Sequence, residues 1–222
     1  MSLMYDREVA LAHVRIADAA LSGVIDAIGP FNLEPRGGAF KSLSRAIFFQ
    51  QLAGPAARTI MGRVLTALGT DEDHWFEPGQ MIVAAEEEMR AAGLSRQKLA
   101  YLRDLSEHFA DGRLTEDDFH HLDDEAVIER VTAVKGIGRW TGEMFLMFSL
   151  GRPDVLPVDD LGVRRGMQIT YGLGDAPKPD EMRRIAEPWA PYRSVGTWYM
   201  WRALGVDVPE QGRGYKEEDF EP

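Results

Sequence analysis

The nine residues Val134-Lys135-Gly136-Ile137-Gly138-Arg139-Trp140-Thr141-Gly142 set two glycines around one apolar side chain. A helical pattern from Asp123 to Val134 leads in, and an apolar one from Gly138 to Leu150 leads out. The spacing therefore predicts two helices joined by a very short turn. Glycine supplies the positive φ and close backbone approach that such a turn needs. Ile137 can point inward and pin the hairpin. Amide N–H groups of the turn and of the second helix's N-terminus then face outward, a site for a backbone phosphate. Lys135 and Arg139 flank it with positive charge. On these residues alone, an ordinary hairpin between two helices reads equally well.

Helical periodicity continues on both sides. Residues 6–28 place Val9, Leu11, Ala12, Ile16, Ala20, Leu21, Val24, Ile25 and Ile28 on one broad face, closed by Gly29-Pro30. Further helices are predicted over 41–52, from Pro55 to Leu68, and over 80–92, 95–110, 160–171 and 180–204. Pro55 suits a first turn, and Ser95 suits a cap. Alternation is too short for strands, and Gly/Pro punctuation falls between helical lengths. The fold class is all-α, without a solenoid repeat or low-complexity segment.

Composition narrows the function. A chain of 222 residues, 45% hydrophobic, makes one large domain or two halves sharing a core. The absence of cysteine excludes disulfides, cysteine-ligated zinc, an iron–sulfur cluster and a cysteine nucleophile. Charged residues interrupt the first 30 positions, and no apolar run approaches the roughly 20 residues of a membrane span. The expectation is a cytoplasmic protein, with Met1-Ser2-Leu3 set aside as a cloning remnant.

A net charge of −11 argues at face value against nucleic-acid binding. The acid, however, is concentrated. Residues 71–88, 104–125 and 210–221 hold 21 acids and 3 bases, leaving 15 acids and 22 bases, a net of +7, elsewhere. Such a chain can still present a basic face.

After the hairpin comes Gly151-Arg152-Pro153-Asp154-Val155-Leu156-Pro157-Val158-Asp159-Asp160-Leu161-Gly162-Val163-Arg164-Arg165. A hairpin followed about twenty residues later by Asp resembles the helix-hairpin-helix (HhH-GPD) DNA glycosylase superfamily. Arg45-Ala46-Ile47-Phe48-Phe49-Gln50-Gln51-Leu52, Gly93-Leu94-Ser95-Arg96-Gln97-Lys98 and Trp189-Ala190-Pro191-Tyr192-Arg193-Ser194, leading to Trp201, are similar to its alkylation-repair branch, that of bacterial 3-methyladenine DNA glycosylase II. The similarity spans about residues 5 to 205. It implies two helical lobes with the active site in the cleft between them. One lobe covers about 40–150 and ends in the hairpin; the other covers 5–35 plus 151–205, with an acidic tail over 206–222.

The resemblance also implies roles. Asp160, with Val163 three positions on and Arg164 next, matches the catalytic aspartate; Asp159 is the alternative, otherwise a helix cap. Glycosidic cleavage passes through an oxocarbenium-like sugar, which a fixed carboxylate stabilises while orienting water. A base alkylated at N3 or N7 leaves as a neutral molecule, so a general acid is dispensable. Trp140 stands where bifunctional relatives carry a Schiff-base lysine. An indole cannot form an imine, which implies a monofunctional enzyme; its electron-rich face suits a cationic base. Trp201 and Met144 complete the implied base pocket, Met144 replacing a tyrosine of the family. Gln51 matches the residue that fills the gap left by a flipped nucleotide. Lys135, Gly136, Ile137, Gly138, Arg139 and Thr141 match DNA contacts, with Arg45, Arg58, Arg96 and Lys98 as further phosphate candidates.

The implied partner is double-stranded DNA containing alkylated bases, met by a monomer without membrane contact. No cofactor or iron–sulfur cluster is implied for catalysis. A structural Na⁺ or K⁺ is implied at the main-chain carbonyls of Thr132, Val134 and Ile137. Two alternatives stay open: a glycosylase for another lesion, and a non-catalytic hairpin module that only binds DNA. Relatives with an extra N-terminal domain suggest by contrast a minimal core of wide lesion range. The acidic segments, 104–125 above all, are expected to lie away from the DNA-contacting turn.

Overall fold

The computed structural model describes residues 2–205, and every regular element within them is helical. The tail beyond 205, with its acidic run, lies outside the described residues. Two compact units form, one from residues 36–145 and one from 2–35 with 146–205.

α1 (Arg7–Ala17) and α2 (Ala19–Ile28) occupy the stretch predicted as one helix. Asp18 separates them: its backbone is extended, at φ −144° and ψ 109°, and its carboxylate accepts the Leu21 N–H at 3.0 Å. The same carboxylate takes the Tyr171 hydroxyl at 2.5 Å and the Trp189 indole N–H at 2.9 Å. Ala10 and Val14 of α1 and Leu21 and Ile25 of α2 are buried, whereas Val9 and Ile16 are 55% and 88% exposed. The apolar pattern ran through the break because each short helix buries its own stripe.

The 36–145 unit contains α3 (Ala39–Phe49), α4 (Gly54–Ala67), α5 (Pro78–Val83), α6 (Glu86–Ala91), α7 (Arg96–Ala110), α8 (Asp118–His121), α9 (Asp124–Thr132) and α10 (Arg139–Phe145). α7 packs against α3 and α5, burying Leu99, Leu102 and Leu105. Ser95 caps it, accepting the Lys98 N–H at 3.1 Å. The helix predicted over 80–92 is two, broken at Ala84, whose carbonyl accepts from Arg103 Nη2 at 2.8 Å. α8, too short for a periodic signal, seats Phe119 against Phe145.

The second unit continues from Leu146. A π-helical turn, Leu146–Leu150, extends α10, and then follow α11 (Leu161–Thr170), α12 (Pro179–Ile185), a 3₁₀ turn at Glu187–Trp189 and α13 (Arg193–Ala203). The last three replace one predicted helix, because Pro188 and Pro191 withdraw backbone donors. α11 and α13 meet at Gly166: a Cβ there would stand 2.1 Å from the Met200 carbonyl oxygen. Trp189, Tyr199 and Trp201 fill this unit's core without solvent exposure. Burial of each such side chain is worth roughly 1.5–3 kcal/mol.

Candidate active site and nucleic-acid interface

The hairpin turn is built by short-range bonds and one close approach. The Val134 N–H reaches the Val131 carbonyl at 3.2 Å, and the Ile137 N–H reaches the Val134 carbonyl at 3.1 Å. Gly136 has φ +83°, and a Cβ on it would lie 2.2 Å from the Tyr101 ring. Only glycine fits there. Ile137 is 4% exposed, tucked into the same unit's core. Gln50 Nε2 donates to the Gly136 carbonyl at 2.8 Å, tying the α3–α4 loop to the turn. Next to it, exposed Gln51 has φ 56°, the one positive φ at a non-glycine among the described residues. A strained backbone at an exposed polar residue is a common mark of function.

Three carboxylates from outside the loop reach the turn's backbone and its two flanking cations. Asp104 of α7 accepts the Lys135 N–H at 2.9 Å and pairs with its ammonium at 3.0 Å. Glu125 of α9 clasps the Arg139 guanidinium through two oxygens, at 2.9 and 2.5 Å, and Glu143 takes its Nε at 3.2 Å. Residues 104–125 thus border the turn they were expected to avoid. The reason is local: their carboxylates dock its backbone and neutralise its cations. Desolvation pushes the Asp104 carboxyl up, but hydrogen bonds from the Lys135 N–H and ammonium, and the charges of Lys135 and His108, outweigh it, so the group lies below the usual carboxylate range.

Lys98, Arg45 and Arg96 are engaged by other protein groups. Lys98 donates to the Phe48 carbonyl at 2.6 Å, and burial lowers its ammonium to about 8. Arg45 lies over the Phe49 ring at 4.4 Å, and Arg96 stands 3.4 Å from Glu86. Arg58 is exposed on α4. On α10, Trp140 is half-buried, whereas Thr141 and Met144 are 6% and 1% exposed. Both are buried on a helix that packs against α9 and α3.

In the other unit Asp160 caps α11. Its Oδ1 accepts the Val163 N–H at 2.8 Å and the Trp201 indole N–H at 2.8 Å, and the residue is 2% exposed. Asp159, by contrast, is exposed. Trp201 is fully buried and stacks on Phe148 of the π-helical turn at 5.7 Å. Its indole N–H is thus engaged in holding the carboxylate. The segment before Asp160 is stapled to α13. Arg193 grips Asp154 through Nε and Nη2, both at 2.7 Å, and the Val155 N–H reaches Ser194 Oγ at 3.0 Å. Two oriented hydrogen bonds at a helix N-terminus leave a fixed negative charge that can face a developing cation.

A family model described as HhH-GPD superfamily base excision DNA repair protein matches residues 44–191, from α3 through the hairpin and Asp160 to Pro191. The chain belongs to this superfamily. Among curated HhH-GPD relatives, DNA-3-methyladenine glycosylase 1 of Schizosaccharomyces pombe is 36% identical over 164 residues, covering 73% of this chain and 71% of the relative. The solved DNA-3-methyladenine glycosidase of Bacillus halodurans superposes with a TM-score of 0.82 at 38% identity, over 89% of both chains. The Schizosaccharomyces pombe 3-methyladenine DNA glycosylase, solved in complex with abasic DNA, gives 0.75 at 32%, over 89% of this chain and 97% of that one.

Several contacts that shape the hairpin turn and the Asp160 carboxylate join residues far apart in the chain. Asp104 lies 31 positions from Lys135, Gln50 86 from Gly136, and Trp201 41 from Asp160. Gln50 and Trp201 stand in stretches that carry a motif signal, whereas Asp104 had none. Among the described residues no group of three or more His, Cys, Asp or Glu is arranged to hold a metal. The hairpin carbonyls of Thr132, Val134 and Ile137 are neutral donors, and that of Val134 already accepts one hydrogen bond. Such oxygens suit a weakly held monovalent ion better than a divalent one.

Proposed function

We propose that this HhH-GPD protein is a monofunctional DNA glycosylase that excises alkylated bases of the 3-methyladenine and 7-methylguanine type, leaving an abasic site. The observation that carries this is Asp160, buried and held through Oδ1 by the Val163 N–H and the Trp201 indole. Its carboxylate is the group assigned to stabilise the oxocarbenium-like sugar and to orient or deprotonate the attacking water. The substrate class rests on relatives above 30% identity whose names specify 3-methyladenine.

Trp140, half-buried at the start of α10, supports base recognition by its electron-rich face, and it offers no amine for an imine. Gln51 is assigned to the gap left by the flipped nucleotide, a role its exposed left-handed backbone supports. The hairpin turn is assigned to backbone phosphate. Carbonyls of Thr132, Val134 and Ile137 would hold a structural Na⁺ or K⁺ there, which supplies charge toward phosphate when bound.

The test is release of free base from duplex DNA containing 3-methyladenine or 7-methylguanine, by the wild type and by Asp160→Asn. Asn keeps an acceptor for both hydrogen bonds and caps a helix as well as Asp does, so the fold is retained. The expected loss of rate is about 100-fold or more. Equal release by both proteins refutes the Asp160 assignment, and release by neither favours another lesion or a binding module. Strand nicking without hot alkali contradicts monofunctional action.

A further inference from the structure

The two cations that flank the hairpin are both occupied by carboxylates of the same unit. Lys135 meets Asp104, whose side chain is only 12% exposed and also receives the Lys135 backbone N–H. Arg139 presents the edge formed by Nη1 and Nη2 to Glu125, the two-pronged geometry with which guanidinium binds phosphate. A phosphate approaching either cation must exchange with a carboxylate already there.

We propose that Asp104 is a positioning residue for DNA engagement and, together with Glu125, an internal competitor for backbone phosphate. Asp104 does two separable things. As an acceptor it fixes the Lys135 peptide and so the turn; as a charge it holds the Lys135 ammonium out of use. Glu125 does only the second, for Arg139. The consequence is low affinity for undamaged duplex. Each cation that wins a phosphate surrenders an ion pair, so little net energy comes from contacts that carry no information about the base. Counterion release sets the scale: every phosphate neutralised contributes about 0.9 to the slope of log K against log salt. The acidic segment 104–125 then acts at the DNA-contacting turn, where it weakens residence on sound DNA and leaves discrimination to the flipped base.

This rests on the glycosylase reading only in taking the hairpin to meet duplex phosphate. The experiment titrates binding of undamaged duplex against salt for the wild type, Asp104→Asn, Asp104→Ala and Glu125→Gln, with thermal melts to verify folding. Asp104→Asn keeps an acceptor for the Lys135 N–H and frees the ammonium. Affinity at low salt is expected to rise about three- to tenfold, with a slope steeper by about 0.9. Glu125→Gln, which frees the Nη edge of Arg139 while Glu143 keeps its Nε, is expected to move both in the same direction by less, and the double variant to add the two slopes. Asp104→Ala, which also loses the docking bond, is expected to fall below Asp104→Asn in affinity despite carrying the same charge. Unchanged affinity and slope in Asp104→Asn and Glu125→Gln overturn the competitor role. Identical behaviour of Asp104→Ala and Asp104→Asn overturns the positioning role. Base release from alkylated duplex, followed in parallel on the wild type, separates the two readings. Release with unaltered salt slopes refutes this inference alone, and no release refutes the glycosylase assignment.

Discussion

Asp160 shows how two donors from different elements orient one buried carboxylate. The Val163 N–H would hold any capping carboxylate, but the Trp201 indole, from α13, fixes its rotation. Hydrogen bonds to a charged group are worth about 1.5–3 kcal/mol. Trp201→Phe keeps the ring stacked near Phe148 and removes only the N–H. The expected result is a roughly tenfold lower kcat for base release with little change in KM, and no further loss when combined with Asp160→Asn. An unchanged kcat would assign Trp201 to packing alone. The sequence marked Trp201 through its motif but not its bond, because 41 positions of chain separate donor from acceptor.

At the scale of elements, two glycines of the same residue type carry opposite consequences. Gly166 lets α11 lie against α13, and a Cβ there meets the Met200 carbonyl at 2.1 Å, a backbone atom that cannot step aside. Gly166→Ala is expected to cost about 1–3 kcal/mol, lowering Tm by roughly 2–4 °C for each kcal/mol in a protein of this size. Gly23, exposed within α2, has nothing within 4 Å of a built Cβ. Gly23→Ala is expected to stabilise by about 0.5–1 kcal/mol, through helix propensity alone. Melting curves of the pair decide this, and a destabilised Gly23→Ala contradicts it. Periodicity found these helices but misjudged their lengths where a polar or proline residue intervened. Asp18 and Pro188 sit inside apolar patterns that continue past them, so breaks at those points depend on local hydrogen-bond supply rather than on the stripe.

For the whole molecule, Lys98 gives a pH signature. Its ammonium is lowered to about 8 by burial, against an ordinary value near 10.5. Between these values the unfolded chain holds a proton that the folded one has released, so stability rises with pH across that window. Below about 8 both states hold the proton, and the folded state bears the full cost of desolvating it. Buried tyrosines run the other way above pH 10: Tyr199, raised to about 12 by burial, keeps its proton longer when folded. Denaturant unfolding of the wild type and Lys98→Met from pH 7 to 9.5 isolates the lysine, since the tyrosines cancel. The wild type is expected to gain stability relative to the variant as pH rises, and a constant difference refutes the burial effect.

The linear chain carried the hairpin, the all-α class and the family, because these rest on spacing within some thirty residues and on helical periods. It did not carry which charges meet. The net of −11 divides into acidic segments and a basic remainder, and that division is legible in the sequence. That Asp104 and Glu125 fold back onto Lys135 and Arg139, rather than standing apart, was decided only when α7, α9 and the hairpin packed together. Coulomb attraction and hydrogen bonding act over a few ångströms, and chain distance says little about which oxyanion arrives within that range.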